Sequence, residues 1–262
     1  MNNDHVLANR VRKNYEGKVF KTKTSGDCIV VKYNNNQDIL IEFLETGNRK
    51  IVRSGALKCG VVKDRGRESV YSFGIVGDMK ISSNGVHFAS YSVWSSMIER
   101  CYSEKRDAKW ITYKDCSVSE EFKYYENFKE WCEKQIGFNS KDETGRSFEL
   151  DKDILFKGNK IYSSETCVFV PLEINQIFRK SERWVDTKET MIGTCLSRNK
   201  KHVARIRIKG KLKHLGTFNT EAEAYESYKA SKTEHIRSIA EKWRGMIDER
   251  VYEILMNYEI DG

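Results

Sequence analysis

Asp151, Asp153 and Asn175 are the residues of this chain whose types and spacing best fit a metal centre. In an extended segment, side chains two apart share a face, so Asp151 and Asp153 would stand together. Two carboxylates with an amide oxygen suit a hard cation, Mg2+ or Mn2+. Such an ion would lower the pKa of a bound water and polarise a phosphate oxygen, leaving proton transfer to a carboxylate or to solvent. A plainer reading stands beside it. Asp151 and Asp153 can pair with Lys152, Lys157 or Lys160, and Asn159, next to Gly158, can simply hold a turn.

The elements that must position these residues occupy FELDKDILFKGNKIYSSETCVFVPLEINQIF, residues 148–178. Residues 148–155 read as a strand, 157–166 as a polar loop around Gly158 and Asn159, and 167–170 as a short buried strand. Pro171, the only proline, sits where the first turn of a helix tolerates one, and 172–179 follow as that helix. Asn175 is three residues from both Leu172 and Phe178, so it should turn inward with them.

Composition bounds the partner. The 262 residues carry 46 Lys and Arg against 38 Asp and Glu, a net charge of +8 with a pI near 9.0, which favours a polyanion. No long apolar run, signal-peptide pattern or acylation motif is present, so the expectation is a cytoplasmic protein without a membrane partner. Cysteines at 28, 59, 101, 116, 132, 167 and 195 are odd in number and free of any C-x-x-C pair. They fit buried reduced thiols rather than a disulfide framework, and no zinc is expected. None of His5, His87, His202, His214 and His235 lies within 148–178. His87 reads as a loop histidine, and His202 and His214 as contacts to phosphate or solvent.

Residues 1–16 are polar and charged and predict a loose arm or a short helix. Across 17–64, short strands begin near Val19, Cys28, Ile39 and Lys50, joined by Ser25-Gly26-Asp27, Asn34-Asn35-Asn36 and Thr46-Gly47-Asn48. They predict a small closed or nearly closed barrel, similar to Tudor barrels, able to grip a host protein or only to add basic surface. Residues 65–86, rich in glycine and charge, predict a linker. Residues 87–182 predict a central domain. Trp94, Met97, Ile98 and Cys101 mark one helix, Phe128, Trp131 and Cys132 another with Gly137 as its C-cap, and Arg100, Lys105, Arg106 and Lys109 are placed for phosphate.

Residues 190–262 predict a three-stranded antiparallel sheet packed on a long helix. Between Met191 and Thr220 there is no acid, while Arg198, Lys200, Lys201, Arg205, Arg207, Lys209, Lys211 and Lys213 crowd into sixteen positions. Arg205, Arg207 and Lys209 alternate with Ala204, Ile206 and Ile208, so one face is cationic and the other apolar. Lys209-Gly210 predicts a hairpin turn, and Thr220 with Glu223 a capping box opening a helix marked by Ala224, Tyr225, Tyr228, Lys232, His235, Ile236, Ile239 and Trp243. The whole is an α+β, multi-domain chain.

Two resemblances attach to these residues. The segment GTCLSRNKKHVARIRIKGKLKHLGTFNTEAEAYESYKAS, with Gly193, Leu215-Gly216-Thr217-Phe218, Thr220 and its Glu-Ala-x-x-x-Tyr run, resembles the DNA-binding domain of plant ethylene-response factors, whose relatives occur in phage and mobile-element homing endonucleases. That family lays its sheet in the major groove, which implies that Arg198, Arg205, Arg207 and Lys209 face duplex DNA, with Lys201, Lys211, Lys213 and Arg100 adding charge. The middle segment resembles the HNH, or ββα-metal, nucleases. Asp151 falls at the acid, Asn159 at the loop asparagine and Asn175 near the helix ligand, while Lys152 stands where that family has its general-base histidine. A lysine is ordinarily protonated at neutral pH and accepts a proton only when strongly desolvated. Together the resemblances imply a phage-type, metal-dependent DNA endonuclease in an infected bacterial host, with Asp151, Lys152, Asp153 and Asn159 as catalytic residues. The rival is the same architecture without turnover, a DNA-binding regulator or a factor against host functions. A protein-binding inhibitor working through the barrel is a third class.

Overall fold

The computed structural model describes residues 14–104, 111–178 and 191–260. The arm at 1–13, Lys105, Arg106, Lys109 and the charged connector after Phe178 lie outside the described residues. The chain is α+β and forms two compact units, Met1–Glu130 and Trp131–Gly262. The division falls inside the stretch 87–182 that the sequence suggests as one domain. No helix among the described residues is long and apolar enough to cross a membrane.

In the N-terminal unit, β1 (Val19–Lys21), β2 (Asp27–Asn35), β3 (Asp38–Phe43) and β4 (Arg49–Val52) form an antiparallel meander in that order. Of the expected closed or nearly closed barrel, the closed form is not found: among the described residues no sheet closes, and β1 and β4 remain edges. Alternation buries Ile39, Ile41 and Phe43 on one face of β3. Instead of closure, helix α1 (Ser54–Lys58) and the chain after it add Leu57 and Val62 to that core. Buried Asp64 accepts hydrogen bonds from Asn48 Nδ2 (3.0 Å) and Gly66 N (2.9 Å), fastening the turn after β3.

The expected linker at 65–86 is structured. It holds two hairpins, β5 (Glu68–Val70) with β6 (Gly74–Ile75) and β7 (Ser82–Ser83) with β8 (Val86–His87). Gly74 explains why the first is not a loose connector: a Cβ there would lie 2.6 Å from the Ile98 side chain and 2.8 Å from Trp94. Those residues belong to α2 (Ala89–Tyr102), whose buried Trp94, Met97, Ile98 and Cys101 match the expected stripe. After β9 (Ser117–Val118) come α3 (Glu120–Lys123) and α4 (Tyr125–Glu133). Gly137 is a turn glycine beyond the end of α4 rather than its C-cap. At φ +88° its absent Cβ would sit 2.9 Å from the carbonyl oxygen of Phe169, so glycine is required there.

The C-terminal unit holds the strand, loop, strand, helix order anticipated from 148–178. It consists of β10 (Glu149–Asp151), β11 (Ile161–Tyr162) within the loop, β12 (Val168–Val170) and α5 (Leu172–Phe178). β10 and β12 are antiparallel, with Glu149 opposite Val170 and Asp151 opposite Val168. The basic sheet follows as β13 (Thr194–Leu196), β14 (His202–Ile208) and β15 (Lys211–Phe218), in that order, packed on α6 (Glu221–Lys242), before α7 (Glu249–Met256). Both arms of the expected capping box of α6 are present: the Thr220 side chain accepts from Glu223 N, and the Glu223 carboxylate accepts from Thr220 N. Phe148 meets the Trp243 ring edge to face at 5.4 Å, so the strand element and the sheet-bearing helix share one core.

Candidate nucleic-acid interface and metal site

β10 ends at Asp151, far short of the strand expected to run to 155. The cause is Asp151 itself. Its Oδ1 accepts the backbone N–H groups of Asp153 (2.8 Å) and Ile154 (3.0 Å), which turns the chain out of the strand. The two aspartates therefore meet through this turn and not through strand alternation. Burial pushes the Asp151 carboxyl up from its ordinary 3.8 to about 6, and the neighbouring Asp153 charge and side-chain hydrogen bond push the same way. Two neighbouring carboxyl groups repel when both are ionised, which is why the Asp153 charge adds to the effect of burial.

Asn175 is placed differently from expectation. Its Nδ2 donates to Glu149 Oε2 at 3.0 Å, so the amide is anchored on the other acid of β10. Glu149, two residues before Asp151 and on the same strand face, is the side chain that sequence reasoning passed over, and that spacing was its available signal. Among the described residues no group of three or more His, Cys, Asp or Glu side chains converges to hold a metal ion. Of the three expected ligands, Asp151 and Asp153 are neighbours, whereas Asn175 is bonded to Glu149.

Lys152, at the position of the expected base, is buried with only 7% exposure. Its Nζ lies 3.5 Å from Asp153 Oδ2 and 5.6 Å from the centroid of the Tyr162 ring. The ion pair with Asp153 is one of the plainer alternatives that the sequence leaves open. Asn159 acts as a brace: Nδ2 donates to the carbonyls of Lys152 and Ile161, both at 2.7 Å, and Oδ1 accepts from Ile161 N at 3.3 Å. Cys167, at the start of the second strand, is buried and its thiol is pushed up to about 12, so it is an inert packing residue. Cys28, Cys101, Cys116 and Cys132 are likewise buried, whereas Cys59 is exposed and Cys195 partly so, against the expectation for all seven.

In the basic sheet, Lys209 (φ 49°) and Gly210 (φ 77°) form the two-residue hairpin turn, setting Ile208 opposite Lys211 and Arg207 opposite Leu212. This register divides the cations. Arg205 and Arg207 are exposed on the face away from buried Ala204 and Ile206, with His214 directly across from Arg205. Lys211 and Lys213 stand opposite Ile208 and Ile206 and so belong to the other side, at the edge of β15, a departure from the single cationic face expected. Arg198 and Lys201 are exposed in the turn between β13 and β14. Arg198, Lys201, Arg205, Lys211 and Lys213 form no ion pair with a described residue. Arg100 belongs to the N-terminal unit, where its Nε donates to Ser96 O (3.2 Å) and its guanidinium lies over Tyr113.

Comparison with protein-family models, with curated proteins and with solved structures finds no match for this chain.

Proposed function

We propose that this chain binds duplex DNA through the sheet β13–β15 and cuts its backbone at the strand, loop, strand, helix element with the help of a divalent cation, as a phage-type or mobile-element endonuclease. The observation that carries the binding half is the exposed pair Arg205 and Arg207 on one face of β14, in a segment without a single acid. A sheet of this width fits the major groove, and exposed arginines on one face suit contact with a phosphate backbone. We place the protein where such DNA is, inside the cell, and keep a host protein as the proposed partner of the N-terminal sheet.

For the chemical half, Asp151 and Asp153 would hold Mg2+ or Mn2+, which when bound polarises a phosphate oxygen and acidifies water. The chain's own residues supply the remainder. Asp151 is held by the backbone N–H groups of Asp153 and Ile154, which fix its carboxylate for the ion and leave proton transfer to solvent. Asn159 fixes the carbonyl of Lys152 and so the turn that carries both acids. Lys152, buried against Asp153 and Tyr162, positions the Asp153 carboxylate.

That same burial favours a second reading, in which the architecture binds DNA without cutting it. Supercoiled plasmid incubated with the protein and Mg2+ or Mn2+ separates them. The proposal expects nicking that disappears in Asp151→Ala and Asp153→Ala. Absence of nicking in either metal, with DNA binding retained, selects the non-catalytic reading.

A further inference from the structure

The C-terminal unit holds a cavity of about 740 Å3 between α5, the basic sheet and the middle of α6, a volume in the range of small-molecule sites. Arg205 and Arg207, the arginines assigned to DNA, line it, so the cavity is part of the face proposed for the duplex. From α6 come Lys232 and His235, three residues apart and therefore neighbours on one side of the helix.

Three acids also line the cavity, and each is engaged elsewhere. Asp142 Oδ1 accepts from Thr144 N (2.8 Å), Thr144 Oγ1 (2.6 Å) and Arg146 N (3.0 Å), closing its own turn. Glu173 and Glu143 both pair with Lys242, at 2.7 and 3.4 Å. Lys232 forms no ion pair with a described residue, and burial alone acts on its ammonium, drawing its pKa down. His235 is held toward the neutral imidazole by burial first and then by the charge of Lys232, with Glu173 opposing and Lys209 adding to the effect. A half-buried lysine without counter-charge is biased toward the free amine, a nucleophile for carbonyl carbon. A neutral imidazole beside it is a proton acceptor. The carbonyl that duplex DNA itself can bring to such a site is the ring-opened aldehyde of an abasic sugar.

We propose that Lys232 and His235 make this cavity a lyase site for abasic DNA, in which the amine forms an imine with the sugar aldehyde and the strand breaks by β-elimination. The inference rests on the DNA-binding reading given above and needs neither Asp151 nor a metal ion. Lys232 Nζ attacks the aldehyde carbon C1′, and loss of water leaves a protonated imine. That imine acidifies C2′. The His235 imidazole takes the C2′ proton, the electron pair forms the C2′–C3′ double bond, and the C3′–O bond breaks with the 3′ phosphate as leaving group. Water then hydrolyses the imine, returning the amine and releasing an unsaturated aldehyde end, while the proton on His235 passes to solvent. Arg205 and Arg207 hold the flanking phosphates.

The test uses the full chain in EDTA with a duplex carrying a single abasic site, beside the same duplex undamaged. Borohydride, which reduces an imine to a stable amine, should trap a covalent protein–DNA adduct, and peptide mapping of the parent protein should place it on Lys232. Lys232→Met should abolish that adduct. Without borohydride the strand should break to leave a 5′ phosphate and an unsaturated aldehyde, and His235→Gln should slow this step roughly a hundredfold while trapping persists. An adduct mapped to another lysine, or no adduct while undamaged duplex still binds, would overturn the lyase and leave the DNA-binding reading intact. Failure to bind either duplex would overturn both. Strand breakage at the parent rate in His235→Gln would overturn the imidazole as the base.

Discussion

The indole N–H of Trp243, at the C-terminal end of α6, donates to Glu173 Oε2 on α5 at 3.1 Å. Lys242 reaches the same oxygen at 2.7 Å. One carboxylate thereby ties the helix that carries the basic sheet to the helix that closes the acidic element. Recognition and chemistry, as proposed, would sit on a single body.

Glu173→Ala leaves the buried Trp243 donor without its partner and should cost roughly 1–3 kcal/mol in urea denaturation. Burial raises the Glu173 pKa, but the bonds from Lys242 and Trp243 outweigh it and hold the group below its ordinary 4.5. A depressed carboxyl stabilises the fold above its unfolded pKa and loses that contribution as pH falls through the folded value. The gap between parent and Glu173→Gln should therefore be full at neutral pH, shrink once pH falls below the ordinary 4.5 and close as it passes the depressed folded value.

Asp151 has the opposite sign. Its folded pKa, about 6, lies above the ordinary 3.8, so the fold favours the protonated form. Parent and Asp151→Asn should be equally stable below about pH 3.8, then diverge as pH rises to 6, with the asparagine variant ahead by at most roughly 3 kcal/mol above that. Thermal melts across pH 3–8 measure this. The same variant should lose nicking, so it would be more stable and less active.

Arg205→Ala with Arg207→Ala should weaken duplex binding at least about tenfold while leaving the melting temperature near the parent's, both side chains being exposed. Loss of two phosphate contacts should also flatten the slope of log affinity against log salt by about 2. An unchanged slope in a filter-binding or anisotropy titration would remove these arginines from the interface.

Asn159→Ala deprives the carbonyls of Lys152 and Ile161 of their donor and frees the turn holding Asp151 and Asp153. A loss of roughly 1–3 kcal/mol is expected, with nicking falling more than DNA affinity. Equal losses in both would mean that the amide supports the fold alone.

Features that depend on neighbours in sequence were legible from the residues. Alternation in β14 set Arg205 and Arg207 opposite Ala204 and Ile206, Thr220 and Glu223 announced the start of α6, and Pro171 the start of α5. Each rests on a local period or a capping bond within four residues. What only the tertiary structure decided depends on partners far along the chain. Asn175 turns to Glu149 because β10 and α5 pack together, and Lys211 and Lys213 change sides because the hairpin register places them there. The N-terminal strands stay an open sheet because Leu57 and Val62 fill the core without closure. Chain periodicity sets which face a side chain takes; packing sets what that face meets.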